Sequence, residues 1–274
     1  MAANTRQPSR RILRMCAALG VALAASLGFA TGASAASQNY VALGDSYSSG
    51  VGAGSYGDSG SCKRSANAYG QLWANAHSGT NFTFLACSGA KTGDVLNQIS
   101  SMPSNATLIT LTVGGNDAGF TDVIKTCTLG SDQTCVDRVN TAKTYVQNTL
   151  PGLLDKVYSA AKSKAPGAKL VVLSYPRFYT VPGSCNVGLS DTKRSAINSG
   201  ADTLASVLSS RVSAAGGKFV DVRSAFVGHN ICSAASDYLH SLTWPVDESY
   251  HPTAAGQLLL AADLGDRLTV RKTA

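Results

Sequence analysis

Apolar positions along the chain fall into two alternating kinds. Short runs at 39–44 (NYVALG), 81–87 (NFTFLAC), 107–113 (TLITLTV), 169–174 (KLVVLS) and 218–222 (KFVDV) are too brief for helices and rich in β-branched or aromatic residues. They predict five short strands buried in a sheet. Between them the apolar residues recur at helical spacing: Tyr69, Leu72, Trp73 and Ala76 within 66–77, and Val139, Ala142, Val146, Leu150, Leu153, Leu154 and Val157 within 135–165. A further set, Ile197, Ala201, Leu204, Val207 and Leu208, falls within 191–214. A short helix over 94–99 and a closing one over 253–268 complete the set, and the helix at 135–165 is expected to bend at Pro151. The Gly- and Ser-rich stretch 46–61 reads as loop. This alternation predicts a single-domain α/β fold: a doubly wound, flavodoxin-like parallel sheet of about five strands with helices on both faces.

The first 35 residues do not fit that pattern. Arg6, Arg10, Arg11 and Arg14 precede a small-residue apolar stretch at 16–30, and Ala33-Ser34-Ala35 matches an A-x-A cleavage site. The arrangement predicts a cleaved secretory signal peptide over 1–35, leaving a mature domain of 36–274. Residues 9–14 (SRRILR) also approach the twin-arginine export pattern, so the sequence leaves the route open. A secreted, extracellular protein is expected.

Subtracting the leader changes the charge. It holds four Arg and no acid, so the formal charge falls from +7 to +3. No cluster of basic residues interleaved with aromatics remains, which argues against a nucleic-acid partner. Overall, 44% hydrophobic and 14% charged residues exclude a disordered chain. Six cysteines are left, Cys62, Cys87, Cys127, Cys135, Cys185 and Cys232. An even number in an exported chain favours three disulfides over a metal site, and no C-x-x-C pair supports the latter.

In a doubly wound sheet, ligands bind beyond the carboxyl ends of the strands. The loops there carry unusual residues: Gly44-Asp45-Ser46 after the first strand, Cys87-Ser88-Gly89-Ala90 after the second, Gly114-Gly115-Asn116-Asp117 after the third, and Asp247-Glu248-Ser249-Tyr250-His251-Pro252 before the last helix. Together they offer a nucleophile (Ser46), a base (His251) and oxyanion donors: the backbone N–H groups of Ser46 and Gly89 and the side chain of Asn116. Each segment alone has a plainer reading, as a helix cap or an ordinary turn. Asp45 is assigned such a bracing role. His77, His229 and His240 have no motif around them and read as solvent or structural histidines. The glycines of 50–60 lack the G-K-[ST] ending of a phosphate loop, no H-E-x-x-H occurs, and G-x-S-x-G is absent. No metal and no cofactor are expected.

The four segments, in this order, resemble the blocks of the SGNH or GDSL-type hydrolases across nearly the whole mature chain. With export, six cysteines and the opening YVALGDSYSSGVGAG, the chain is most similar to the secreted actinobacterial lipases, esterases and phospholipases A1 of that family. The resemblance implies metal-independent ester hydrolysis and disulfides in sequence order: Cys62 with Cys87, Cys127 with Cys135, Cys185 with Cys232. One position departs from the family pattern. The acid expected three residues before the histidine is Glu248, the chain's only glutamate. Either Glu248 or the backbone carbonyl of Ser249 is then the partner of His251.

The expected activity is a serine esterase acting on acyl esters of lipids, as lipase, esterase or phospholipase A1, by a monomer in transient contact with a membrane or micelle surface. A carbohydrate O-acetyl esterase is the enzymatic alternative, and a non-catalytic binding module the other. A long apolar groove separates the first from the second.

Overall fold

The computed structural model describes Met1 and residues 38–183, 185 and 189–269. The expected leader, Met1 apart, lies outside the described residues.

Five strands form one parallel sheet: β1 (Gln38–Gly44), β2 (Thr80–Phe84), β3 (Leu108–Thr112), β4 (Lys169–Leu173) and β5 (Lys218–Val220). Their spatial order is β2-β1-β3-β4-β5, the flavodoxin-like order that the alternation of strand and helix predicts. Every residue of β3 is buried, as are Tyr40–Gly44 of β1 and Leu170–Leu173 of β4. That burial is why these segments read as continuous apolar runs. The edge strands β2 and β5 are only partly covered.

Among the described residues, eight α-helices surround the sheet: α1 (Ser46–Ser49), α2 (Tyr69–Ala76), α3 (Thr92–Ser101), α4 (Phe120–Leu129), α5 (Asp132–Asn148), α6 (Leu150–Lys164), α7 (Asp191–Ala214) and α8 (Ala254–Thr269). Right-handed crossovers put α2 on one face and α3, α6 and α7 on the other. Accordingly α2 packs with α8, α3 with α6, and α6 with α7, while α5 lies along α7 as an outer layer.

Two stretches depart from the periodicity. The helix expected over 135–165 is two helices, α5 and α6, meeting at Thr149. Pro151 does not bend a continuous helix. It occupies the first turn of α6, where its missing N–H has no partner to lose. The expected loop 46–61 opens with the single turn of α1 and closes with a 3₁₀ turn, Gly60–Cys62.

The winding reverses between β1 and β3, so their carboxyl ends stand side by side with Gly44 opposite Thr112. Gly44 has φ +116°, and a Cβ there would lie 2.4 Å from the Thr112 carbonyl oxygen. Glycine is therefore required for β1 to turn so close to its neighbour. The peptide groups at this turn find a side chain: the Gly44 N–H donates to Gln98 Oε1 (2.8 Å) and Gln98 Nε2 donates to the Gly44 carbonyl (2.9 Å).

Candidate active site

Ser46 is the first residue of α1, directly beyond that turn. The preceding residue, Asp45, is the helix cap, accepting from the Tyr47 N–H at 3.0 Å. Its carboxylate also accepts from Thr112 Oγ1 (2.6 Å) and from the Tyr175 hydroxyl. Tyr175 in turn accepts from the Gly115 N–H (3.3 Å), so one phenol ties the turns after β1 and β3 together. Burial pushes the Asp45 carboxyl up to about 6, against the lowering effect of these three donors. The backbone of α1 is held from α8 as well: Gln257, fully buried, donates to the Tyr47 carbonyl (3.0 Å) and accepts from the Tyr69 N–H (2.9 Å).

His251 faces Ser46 from the opposite side. Its Nε2 lies 2.7 Å from Ser46 Oγ and its Nδ1 lies 3.0 Å from the Ser249 carbonyl oxygen. A carbonyl only accepts, so Nδ1 carries the proton and Nε2 is left as the acceptor for the serine hydroxyl. Burial pulls the imidazole down to about 4, with the Ser249 hydrogen bond and the charge of Asp247 opposing. The ring is therefore neutral, and able to take a proton, across the whole range above that value.

Of the two partners left open by the sequence, the Ser249 carbonyl is the one on His251. The Glu248 carboxylate points elsewhere, accepting from the Tyr56 hydroxyl at 2.7 Å, and Tyr56 accepts from the Gly52 N–H at 2.8 Å. Asp247 pairs with Lys63. The two acids before the histidine thus fasten its loop to the segment after α1. Close approach there depends on Gly52 at φ +90°, where a Cβ would lie 2.7 Å from the Pro252 carbonyl oxygen and 3.0 Å from His251 Cβ. His240 adds a third tie, its Nε2 lying 2.7 Å from the Gly52 carbonyl oxygen. Tyr47 adds a fourth, donating to the Tyr250 carbonyl at 2.6 Å.

Gly89 and Asn116 line the same cavity as Ser46 and His251. Asn116 Nδ2 donates to the Ala90 carbonyl (3.0 Å), which spends one of its two amide hydrogens and fixes the plane of the group. Asp117, next in sequence, accepts from the Thr92 N–H and hydroxyl at the start of α3, so it joins the turns after β2 and β3. Gly89 itself has φ +78°. The adjoining loop is anchored by the Cys62–Cys87 disulfide and by the Ser88 N–H donating to the Cys62 carbonyl at 3.1 Å. The other bridges, Cys127–Cys135 and Cys185–Cys232, also follow the order that the resemblance implies.

The cavity holding Ser46 has a volume of about 590 Å³ and continues as a groove between α4, α5 and α7. Phe120, Val123, Val139, Val146, Phe178 and Leu204 are among the apolar side chains along it. Sequence reading missed α4 as an element, although Phe120, Val123, Ile124 and Cys127 have helical spacing. It also missed the buried anchors Thr112 and Tyr175, whose partners are set only by strand order.

The GDSL-like Lipase/Acylhydrolase family matches residues 42–259. The chain belongs to this family. A lipase from Streptomyces rimosus is 55% identical over 221 residues, covering 80% of this chain and 82% of that protein. Lipase 1 from Streptomyces coelicolor is 54% identical over 243 residues, covering 88% and 90%. Among solved structures, the phospholipase A1 of Streptomyces albidoflavus superimposes with a TM-score of 0.81 at 53% identity, covering 84% of this acylhydrolase and 99% of that chain. The extracellular lipase of Streptomyces rimosus gives the same TM-score, identity and coverage. This acylhydrolase is thus a carboxylic ester hydrolase, with a fold that its relatives share over nearly their whole length.

Proposed function

We propose that this GDSL-family enzyme is an exported serine esterase that cleaves acyl esters of lipids through an acyl-enzyme on Ser46. The contact between Ser46 Oγ and His251 Nε2 carries the proposal. A serine hydroxyl is a poor nucleophile until a base takes its proton, and a neutral imidazole at this distance is that base. As Ser46 Oγ adds to the ester carbonyl, its proton passes to His251 Nε2. The resulting imidazolium is stabilised by the Ser249 carbonyl that accepts from Nδ1. The oxygen of the tetrahedral species gathers charge opposite the Ser46 and Gly89 N–H groups and the Asn116 amide. Collapse transfers the proton from His251 to the leaving alcohol. Water then repeats the sequence on the acyl-serine, returning the proton to Ser46. The pair acts as a dyad in which a backbone carbonyl replaces a triad acid.

The substrate class rests on the groove. A cavity of about 590 Å³ that holds the serine and continues as a largely apolar groove suits an acyl chain and is far larger than an acetyl group needs. The names of the similar Streptomyces enzymes, lipase and phospholipase A1, agree with this reading. Export is supported by the leader and by the three disulfides, which persist in oxidising compartments.

The test is hydrolysis of short- and long-chain p-nitrophenyl esters and of a phosphatidylcholine by oxidised wild type and Ser46→Ala. Turnover by wild type alone, faster on long chains, is expected. Equal turnover by both proteins overturns the serine assignment, and a strict preference for acetyl esters overturns the lipid one.

A further inference from the structure

Large apolar side chains are exposed at few places among the described residues, and several of those places surround one opening. Leu242, Trp244 and Val246 lie within five residues of each other, at 61%, 88% and 60% exposure, and Leu129 at the end of α4 is at 77%. Leu242, Val246 and Leu129 all line the cavity that holds Ser46 and His251. The exposed patch is therefore the continuation of the groove wall onto the surface. A soluble surface rarely gathers such side chains without a partner.

The segment carrying them is fixed in place. The Thr243 N–H donates to Ser249 Oγ (3.0 Å) and that hydroxyl donates back to the Thr243 carbonyl (3.3 Å). The Glu248 N–H donates to the Pro245 carbonyl at 3.0 Å. Ser249 is also the residue whose carbonyl holds His251. Nearby acids are engaged, Asp247 by Lys63 and Glu248 by Tyr56, while Lys125, exposed, lines the same cavity. The rim thus presents apolar side chains with a cation and no uncompensated carboxylate from this loop.

We propose that Leu242, Trp244, Val246 and Leu129 form a docking surface for the headgroup–acyl boundary of a lipid aggregate, with Trp244 as its anchor. The proposal rests on the lipid-ester reading and adds the surface from which the substrate is taken. An indole prefers that boundary because its ring is apolar and its N–H stays hydrated. Docking there aligns the groove mouth with the acyl chains, so a substrate molecule slides from the aggregate into the cavity without crossing water. Continuity with the groove favours a lipid surface over a protein partner.

The chain has two tryptophans, and Trp73 is buried at 7% exposure. A vesicle-induced change in tryptophan emission therefore reports on Trp244. Ser46→Ala protein, which keeps vesicles intact, is titrated with phosphatidylcholine vesicles and examined by emission and co-sedimentation. A blue shift with binding is expected, and Trp244→Ala in the same background should weaken binding about tenfold or more. In otherwise wild-type protein, Trp244→Ala should keep its rate on monomeric p-nitrophenyl butyrate while losing rate on vesicles. No blue shift and no binding overturns the proposal. So does equal loss on soluble and vesicular substrates, which makes Trp244 part of the site's structure, or lipid-free self-association that Trp244→Ala abolishes, which makes the patch an interface between copies. Binding without phospholipid hydrolysis by wild type leaves the surface standing and removes the lipid-ester reading instead.

Discussion

Ser46 stands between two regions built in different ways. Behind it, the carboxyl ends of β1 and β3 fix Asp45, Thr112 and Tyr175 through side-chain hydrogen bonds anchored in the sheet. In front of it, the loop bearing His251 has no strand of the sheet and is held by ties that each come from a different place: Lys63, Tyr56, Gly52 and Tyr47. The difference explains where the acids went. Behind the serine a carboxylate is buried to brace the backbone. In front, the carboxylates anchor the loop and a peptide carbonyl takes the imidazole. Position of the histidine, and not a carboxylate hydrogen-bonded to it, is what this arrangement supplies.

Removing either half of the reacting pair gives the largest effect. Ser46→Ala or His251→Ala should lower kcat/KM on a p-nitrophenyl ester by about 10⁴-fold or more, and the double variant should be little worse than either single one. Additive losses would mean that the two do not act together. Asn116→Ala should lower kcat by about 10² to 10³-fold with KM little changed, since the donor acts on charge that develops in the transition state. A change in KM alone would make Asn116 a binding residue.

Asp45 and His251 distinguish the regions by pH. His251, held down at about 4, is neutral above that value, so the acid limb of kcat/KM should fall near pH 4 and not near the ordinary histidine value. In stability they oppose each other. Asp45, raised to about 6, binds its proton more tightly folded than unfolded, so its contribution is full below the ordinary carboxylate range and lost as pH rises through about 6. His251 is lowered, so its contribution is full above the ordinary imidazole value and lost as pH falls through about 4. Thermal melts between pH 4 and pH 6 should therefore rise more steeply in Asp45→Asn than in wild type, and less steeply in His251→Ala, each by on the order of 2 kcal/mol across the window. Parallel curves for all three would remove the assignment of these shifts.

Glu248→Ala gives the smallest effect. Its carboxylate lies on Tyr56, so kcat should change by less than about threefold, set against the roughly 10⁴-fold loss typical where an acid orients the histidine. A large loss of kcat would restore Glu248 as the orienting acid.

Much of the fold was legible because strands buried on both faces leave unbroken apolar runs. Each of the five predicted runs overlaps a strand, and the predicted helix 191–214 coincides with α7. The break at Thr149 was not legible, since apolar spacing continues across it from Val146 to Leu150 and Leu153 while α5 ends at Asn148 and α6 begins at Leu150. At the site, Ser46, Gly89, Asn116 and His251 stood out because their types and order are unusual, and the structure brings all four to one cavity. What periodicity could not supply was direction. Whether Glu248 faces His251 or Tyr56 depends on how the segment after α1 folds back across Gly52, a contact between residues nearly two hundred positions apart. Tyr175 and Thr112 were equally silent, one an ordinary residue just past β4 and the other in β3, until the sheet order sets them around Asp45.

The most direct test of the Ser46–His251 mechanism is labelling with a long-chain alkyl phosphonate, read by intact mass and peptide mapping. One adduct per chain, on Ser46, abolished in Ser46→Ala and formed much more slowly in His251→Ala, is the predicted result. An adduct on any other residue, or an active enzyme that takes no label, would contradict the account.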